Sequence, residues 1–404
     1  MLESNILYEQ SRASSAFLPR PYPQKDTPLL IYGPPKSGKT SLALEYAKNV
    51  KNAKRVVFVD CADMRFCLED TQKELLKAFL EKAFDLLVVD NYDISSLALS
   101  PSSKPSLISS AESTLSRTAT PALTLPNLSN IILVCASPIC DKQGLSKYPT
   151  HHFAHHLAHL RQMRVLPLSF REFVSFSKAQ KLESIFSTFL KSGNLPEMPF
   201  LTESKHTARN QEIIRLAYQK HARIFQEILD FQGQNFSAYS LLRKLKPSLK
   251  TSKDTIYAFI ESLKSQQSIF LLPHTQNRSK PKLYLYNFAL PYALSASPHF
   301  QHIFENMVFC ELLLKHSNPF SEITQAKSST PKSLISYDEE CDFLVNDIAY
   351  IVMPFPNDAL LKARLQKLTK KYKKVIFISI EHSEKQSEYE VQSFIDFALD
   401  DEVG

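Results

Sequence analysis

The octapeptide GPPKSGKT, residues 33–40, constrains this chain more than any other stretch, because it matches G-x-x-x-x-G-K-[ST] at every fixed position. The apolar run 29–32 before it predicts a buried strand, and residues 41–49 after it predict a helix. A strand, a glycine-bearing loop and a helix in this order form a phosphate-binding loop, in which backbone amides and the positive helix end face an anion. The alternative is a Gly/Lys turn that matches by chance. Only six glycines occur in the whole chain, however, and two of them occupy the two motif positions.

We therefore predict that this loop binds ATP together with Mg²⁺. Lys39 would reach the β- and γ-phosphates, and Thr40 would offer its hydroxyl to Mg²⁺. The predicted nucleotide-binding residues are Gly33, Pro34, Pro35, Lys36, Ser37, Gly38, Lys39, Thr40 and Ser41.

A second motif is FDLLVVD, residues 84–90, an apolar strand that ends in an acid. In this place after a phosphate-binding loop, Asp90 is predicted to hold Mg²⁺ through its water shell. The alternative is an acid that simply ends a buried strand. Many hydrolysing proteins of this kind carry Glu next, but here that position is Asn91, whose amide cannot accept a proton from water.

Two further residues are predicted to complete the catalytic set. Asp93 is the candidate substitute for the missing Glu, although another residue could take that role or turnover could be slow. Ser137 ends the apolar run 131–137, where it would sense the γ-phosphate or be an ordinary strand-end serine.

The pattern of elements predicts the fold class of this part of the chain. Predicted strands at 29–32, 55–60, 84–90, 131–137 and 164–168 alternate with helices, which indicates an α/β doubly wound parallel sheet with the nucleotide at the carboxyl ends of its strands. The Ser-, Thr- and Pro-rich stretch 95–129 predicts a flexible insertion.

His151, His155 and His159 share one face of a predicted helix. We favour a solvated face there over a metal site.

Composition and charge bound the remaining possibilities. A chain of 404 residues with 44% hydrophobic and 22% charged residues predicts two to four globular units. It has no apolar run of the roughly 20 residues that a membrane span needs and no signal-peptide pattern, so we expect a cytoplasmic protein that does not bind membranes. The net charge of +7 permits contact with nucleic acid without requiring it.

Two later segments carry a family resemblance. LPLSFREF at 166–173 and GNLPE at 193–197 resemble the archaeal-type ATPase family and its bacterial relatives, which are AAA-like P-loop proteins. The resemblance implies an ATPase core followed by a helical lid, a winged helix and a C-terminal α/β domain similar to the restriction-endonuclease (PD-(D/E)xK) fold. The corresponding ranges are an arm at 1–28, the P-loop domain at 29–168, the lid at 169–230, the winged helix at 231–290 and the endonuclease-like domain at 291–404.

The implied winged helix agrees with the local pattern. Two amphipathic helices, 236–246 and 253–266, precede two predicted strands, 268–273 and 282–286. Basic residues in this order suit phosphate contacts to duplex DNA, although winged helices also dock proteins. The predicted DNA-contacting residues are Arg243, Lys244, Lys246, Lys250, Lys253, Lys280 and Lys282.

The implied C-terminal domain lacks part of a nuclease site. Asp342, in a segment that resembles the family's E-x-DF-x-V strand, would bind metal in an active nuclease, with an acid and a lysine on the next strand. That strand, 349–353, has neither, so we predict a decayed nuclease fold that serves binding or assembly.

These predictions leave two functions open. The first is an ATP-driven switch with weak ATPase activity, coupled to DNA or to a protein partner, which could be a second copy of this chain. The alternative is a nucleotide-binding scaffold that hardly hydrolyses ATP. Arg215 and Arg223 are candidate lid arginines in either case.

Overall fold

The structure is a computed structural model of the chain. It describes Arg20, Tyr22 and residues 27–50, 55–63, 85–92, 130–138, 161–178, 181–277, 279–295, 297–318, 320–321, 334–386 and 389–400. Two compact units contain these residues: the first draws on 1–33, 38–165 and 319–329, and the second on 34–37, 166–318 and 330–404. The predicted insertion at 95–129, the His-rich helix and Asp93 lie outside the described residues.

The first unit is built on one sheet with five parallel strands, which confirms the predicted α/β class. The strands are β1 (Leu29–Tyr32), β2 (Val56–Asp60), β3 (Leu86–Tyr92), β4 (Ile131–Cys135) and β5 (Arg161–Arg164). They lie in the order β2-β3-β4-β1-β5, and a two-residue strand, β8 (Phe320–Ser321), adds to β5 in the antiparallel direction. Continuous burial of β1 and β4 explains why their sequences are unbroken apolar runs rather than alternating ones.

Two predicted strands are displaced by a few residues. The strand predicted at 84–90 runs from Leu86 to Tyr92, so it continues for two residues past Asp90 instead of ending there. For the fifth strand the sequence indicated 164–168, but β5 ends at Arg164, and the next residue, Val165, donates its amide to the Tyr32 carbonyl at 2.8 Å. The cause is local: Pro167 has no backbone donor, and Ser169 already caps the following helix.

Helices dominate the second unit up to residue 316. They are α2 (Phe170–Phe176), α3 (Leu182–Ser192), α4 (Glu203–Tyr218), α5 (Ala222–Leu229), α6 (Ala238–Leu245), α7 (Lys253–Ser265) and α8 (Phe300–His316); the helix of the first unit, α1, spans Lys39–Asn49. Helix α2 starts in a capping box, in which the Ser169 hydroxyl accepts the Glu172 amide and the Glu172 carboxylate accepts the Ser169 amide.

The two segments that carry the family resemblance meet in this unit. The Leu168 amide donates to the Asn194 carbonyl at 2.8 Å, and the Asn194 side chain donates to the Tyr286 carbonyl at 3.2 Å. Glu197 binds Arg209 of α4 through two hydrogen bonds of 2.9 and 2.8 Å. Residues that are distant in sequence therefore form one hydrogen-bonded junction.

A hairpin and a second sheet complete this unit. Strands β6 (Ile269–Leu272) and β7 (Lys282–Leu285) pair antiparallel after α6 and α7, so helix, helix and hairpin follow one another as the sequence predicted. The second sheet has the order β12-β13-β11-β10-β9. Its strands are β9 (Phe343–Val345), β10 (Ile348–Val352), β11 (Lys374–Ser379), β12 (Glu384–Lys385) and β13 (Glu390–Ser393), and its helices are α9 (Asp358–Leu368) and α10 (Phe394–Leu399).

None of the helices in the described part of the chain is both long and apolar enough to cross a membrane.

Candidate functional site

The loop between β1 and α1 has the backbone that a phosphate-binding loop needs. Gly38, at the amino end of α1, adopts φ 92° and ψ 16°, a left-handed conformation that a side chain would strain. No side chain caps this helix end. Its first amide groups therefore have no side-chain acceptor from the cap, and helix ends of this kind favour anions.

The loop's side chains divide by exposure. Ser37 is fully buried, Lys36 is exposed with a left-handed φ of 59°, and Ser41 is exposed on α1. The Lys39 ammonium donates to the Gly33 carbonyl at 3.0 Å, which holds it over the start of the loop.

The two predicted Mg²⁺ ligands are in direct contact. The Thr40 hydroxyl donates to Oδ2 of Asp90 at 2.8 Å, across fifty residues of sequence. Asp90 is only 5% exposed and lies in β3, two residues before the strand ends. The first turn of α1 and the carboxyl end of β3 therefore bring a hydroxyl and a carboxylate oxygen to one point.

The surroundings of Asp90 shift the pKa of its carboxyl group in opposite directions. Burial is the largest influence and raises the pKa of Asp90, and the nearby charge of Asp60 also raises it. The hydrogen bonds from Thr40 and from the Asn91 amide, with the charge of Lys39, oppose this rise. A carboxylate that burial disfavours in its charged form gains most from a cation beside it.

The residue types at this point fit the predicted ligands. Mg²⁺ prefers oxygen ligands and takes one or two from protein together with phosphate and water, so Thr40 and Asp90 are a suitable pair. Lys39 and the amino end of α1 supply positive charge for the phosphates. No group of three or more His, Cys, Asp or Glu side chains in the described residues is arranged to hold a metal.

The residue after Asp90 is held by an acid that the sequence did not single out. Strand β3 has an irregular register between Val89 and Tyr92, and Asn91 within it has φ 52°. The Asn91 side-chain amide donates to Oδ1 of Asp60 at 2.8 Å. Asp60 ends β2, and its register partner Asp90 lies two residues before the end of β3. The available signal was an Asp directly after the apolar run of each of these two neighbouring strands.

Ser137 lies close to this edge of the sheet by chain position but not within a strand. Strand β4 ends at Cys135, two residues earlier, and Ser137 is half-buried. Its expected place at a strand end is therefore corrected to the loop that follows, because the chain bends at residues 136–137.

The predicted DNA-contacting residues fall into two groups. Lys244 pairs with Glu227 at 3.2 Å and with Asp230, and Lys282 pairs with Glu305 at 3.0 Å. These two ammonium groups are already neutralised inside the second unit. The other five are exposed: Arg243, Lys246, Lys250, Lys253 and Lys280.

The cluster around Lys282 includes the candidate nuclease residue Asp342. Lys282 lies 3.8 Å from Asp342, and the Val352 amide donates to the same carboxylate at 2.8 Å. Burial and the charge of Glu305 raise the pKa of Asp342 to about 6. Burial lowers the pKa of Lys282, but the charges of Glu305 and Asp342 outweigh it and the pKa is raised. A lysine from the hairpin thus occupies the space between two acids.

Comparisons with known proteins add little to this geometry. No protein-family model matches the chain, and no curated protein sequence matches it. Among solved structures, the chain is similar to the Aeropyrum pernix Orc1 protein in complex with DNA, at 12% identity and a TM-score of 0.27, over 72% of this chain and 91% of that one. A likeness this distant carries no argument about activity.

Proposed function

We propose that this chain binds ATP with Mg²⁺ at residues 33–41 and works as a nucleotide-dependent switch with weak ATPase activity. The observation that carries the proposal is the 2.8 Å contact between Thr40 and Asp90 beside the uncapped start of α1. Chance matches to the loop pattern have no reason to bring a hydroxyl and a buried carboxylate together at that place.

Each residue has a distinct role in this proposal. Lys39 exchanges its bond to the Gly33 carbonyl for the β- and γ-phosphates, and the amide groups at the start of α1 face the same anions. Thr40 and Asp90 would hold Mg²⁺ through their oxygen atoms. A Mg²⁺ ion held there would supply positive charge against the charge that develops on the phosphates. Asp93 and Ser137 remain candidates for contacting the attacking water and the γ-phosphate.

The switch is proposed to act on DNA or on a protein partner through residues 231–290, interpreted as a winged helix. Support comes from the order α6, α7, β6, β7 and from the exposed basic residues on and after α6. The decayed endonuclease-like domain at 291–404 is proposed to serve binding or assembly. Asn91 in place of an acid favours the alternative, a scaffold that holds nucleotide without hydrolysing it.

Nucleotide binding is tested by calorimetric titration of the full chain with ATP and ADP in the presence of Mg²⁺. Lys39→Ala should abolish binding, because Lys39 is the lysine of this loop that lies over its start, whereas Lys36 is exposed. Lys48→Ala is the matched control, since Lys48 is exposed at the far end of the same helix. Wild-type protein that binds neither nucleotide would refute the proposal, and binding without turnover would favour the scaffold.

A further inference from the structure

Asp60 lies where its carboxylate can fix the orientation of the Asn91 side chain, which follows Asp90 in the chain. Its Oδ1 atom accepts two hydrogen bonds of 2.8 Å, one from the Ala62 backbone amide and one from the Asn91 side chain. The Ala62 amide fixes the carboxylate, and the carboxylate fixes the asparagine.

Hydrogen-bond chemistry determines how Asn91 is oriented. An ionised carboxylate has no donor, so only the NH₂ side of an amide can face it. The carbonyl oxygen of Asn91 must then point away from Asp60. Within the described residues this oxygen accepts no hydrogen bond, and the Asn91 side chain is exposed at the strand end that also carries Asp90.

We propose that Asp60 is a positioning residue for ATP hydrolysis, which holds Asn91 so that its carbonyl oxygen orients the attacking water. The inference rests on the proposed ATP site. The water oxygen bonds to the γ-phosphorus while the bond to the β–γ bridging oxygen breaks, and ADP leaves with that electron pair. The water proton passes to a γ-phosphoryl oxygen, which gives dihydrogen phosphate, so Asn91 takes no proton. Amide side chains orient water in this way in several GTPases, where intrinsic turnover is slow.

Substitutions of the pair separate orientation from folding. Asp60→Asn keeps the shape of residue 60 but sets one amide against another, so that Asn91 can pair in either orientation. The kcat of this variant should fall about tenfold, the effect of one hydrogen bond to a charged group. Its Kd for Mg²⁺-ATP should stay close to that of wild type, because within the described residues the Asp60 carboxylate bonds to Ala62 and Asn91 and not to Thr40 or Asp90.

Exchanging the two residues should rescue the activity. In Asp60→Asn with Asn91→Asp, the amide on β2 donates to the carboxylate on β3, and kcat should return at least to the wild-type value. Asp is chosen rather than Glu because residue 91 has φ 52°, which Asn and Asp tolerate best among side-chain-bearing residues. Asn91→Asp alone places two carboxylates together and should lower the melting temperature of the nucleotide-free protein. The exchange should restore it.

The control is the same acid-to-amide change at the opposite end of the same strands. Asp85 precedes β3 and binds the Arg55 amide at 2.8 Å and its guanidinium at 3.1 Å. Asp85→Asn should lower the melting temperature of the nucleotide-free protein without changing kcat. A loss of kcat in both variants would mean that general destabilisation, and not the orientation of Asn91, is being measured.

The outcomes separate the inference from the proposed function. A wild-type chain that fails to bind Mg²⁺-ATP overturns both. Binding with no product in a single-turnover assay overturns the inference alone, as does Asp60→Asn with the kcat of wild type. The inference is also overturned if the fold-change in kcat of the exchange variant equals the product of the fold-changes of Asp60→Asn and Asn91→Asp. The two residues would then act independently.

Discussion

At the scale of single residues, the backbone conformation at Gly193 and its contact with a neighbouring side chain together require glycine at this position. Gly193 directly follows α3 and has φ +87°. A Cβ atom built there would lie 2.1 Å from Oδ1 of Asn287, which itself accepts the Ala289 amide at 3.1 Å. Both the left-handed backbone and the buried Asn287 therefore exclude a side chain at residue 193.

We expect Gly193→Ala to lower the free energy of unfolding by about 2–4 kcal/mol, because it adds overlap with Asn287 to the backbone strain. Urea unfolding measures this change. Gly233→Ala is a matched control: Gly233 also has a positive φ, +70°, but the nearest atom to its Cβ is a carbon of His302 at 3.2 Å. Gly233→Ala should lower the free energy of unfolding by about 1 kcal/mol. Equal costs at the two glycines would contradict the role given to Asn287.

At the scale of elements, α6 and α7 present basic side chains on exposed positions. Their buried apolar residues are Leu241 and Leu245 of α6 and the stripe Ile256, Phe259, Ile260 and Leu263 of α7. Arg243 and Lys246 lie at the end of α6, and Lys253 opens α7 with its ammonium 5.5 Å from the ring centroid of the exposed Tyr257. Lys244, between the first two, is turned to Glu227 and Asp230 instead. The exposed residues, and not the total charge of the segment, are therefore the proposed phosphate contacts.

The triple variant Arg243→Ala, Lys246→Ala, Lys253→Ala should weaken binding to duplex DNA and reduce its dependence on salt. Three lost phosphate contacts would lower the slope of log K against log salt by up to about 2.7. Fluorescence anisotropy across a salt series measures both quantities. Lys362→Ala, Lys367→Ala, Lys370→Ala is the control, because these residues are exposed on and after α9 and carry the same charge. If wild-type affinity did not fall with salt, the DNA proposal would be abandoned.

At the scale of the whole molecule, one buried acid makes folding depend on pH. Glu311 of α8 accepts the Phe170 amide at 2.6 Å, and burial raises its pKa to about 8 from an ordinary 4.5. A carboxyl with a raised pKa contributes stability below its unfolded pKa, and that contribution is lost as pH rises through the folded pKa. Burial of His302 has the opposite effect, since it lowers that pKa from 6.5 to about 4.

The effect of Glu311 should therefore stand out between pH 6.5 and 8, above the range in which His302 titrates. There the free energy of unfolding should fall by up to about 1.4 kcal/mol per pH unit. Glu311→Gln keeps an oxygen acceptor for Phe170 and should remove the slope, whereas Glu183→Gln, at an exposed position of α3, should not. Urea unfolding followed by far-UV circular dichroism is suitable, because the chain has no tryptophan. A slope that persists in Glu311→Gln would show that another group causes it.

The sequence by itself determined the local features, because these depend on neighbours within a few residues. The loop at 33–40, the strands that carry Asp60 and Asp90, and the order of α6, α7 and the hairpin follow from short periods of apolar residues and from Gly, Pro and Ser at element ends. The fifth strand was displaced, because the stop at Pro167 outweighed an apolar run.

Only the tertiary structure decided which polar groups meet. The pairing of Asp60 with Asn91 joins residues 31 positions apart, and Lys282 reaches Glu305 and Asp342 from a different element. No periodicity encodes such contacts, because strand order and helix packing bring the residues together. The sequence therefore predicted that a nucleotide site should exist and where its loop lies. The fold determined which acid acts on Asn91 and which lysines are already paired.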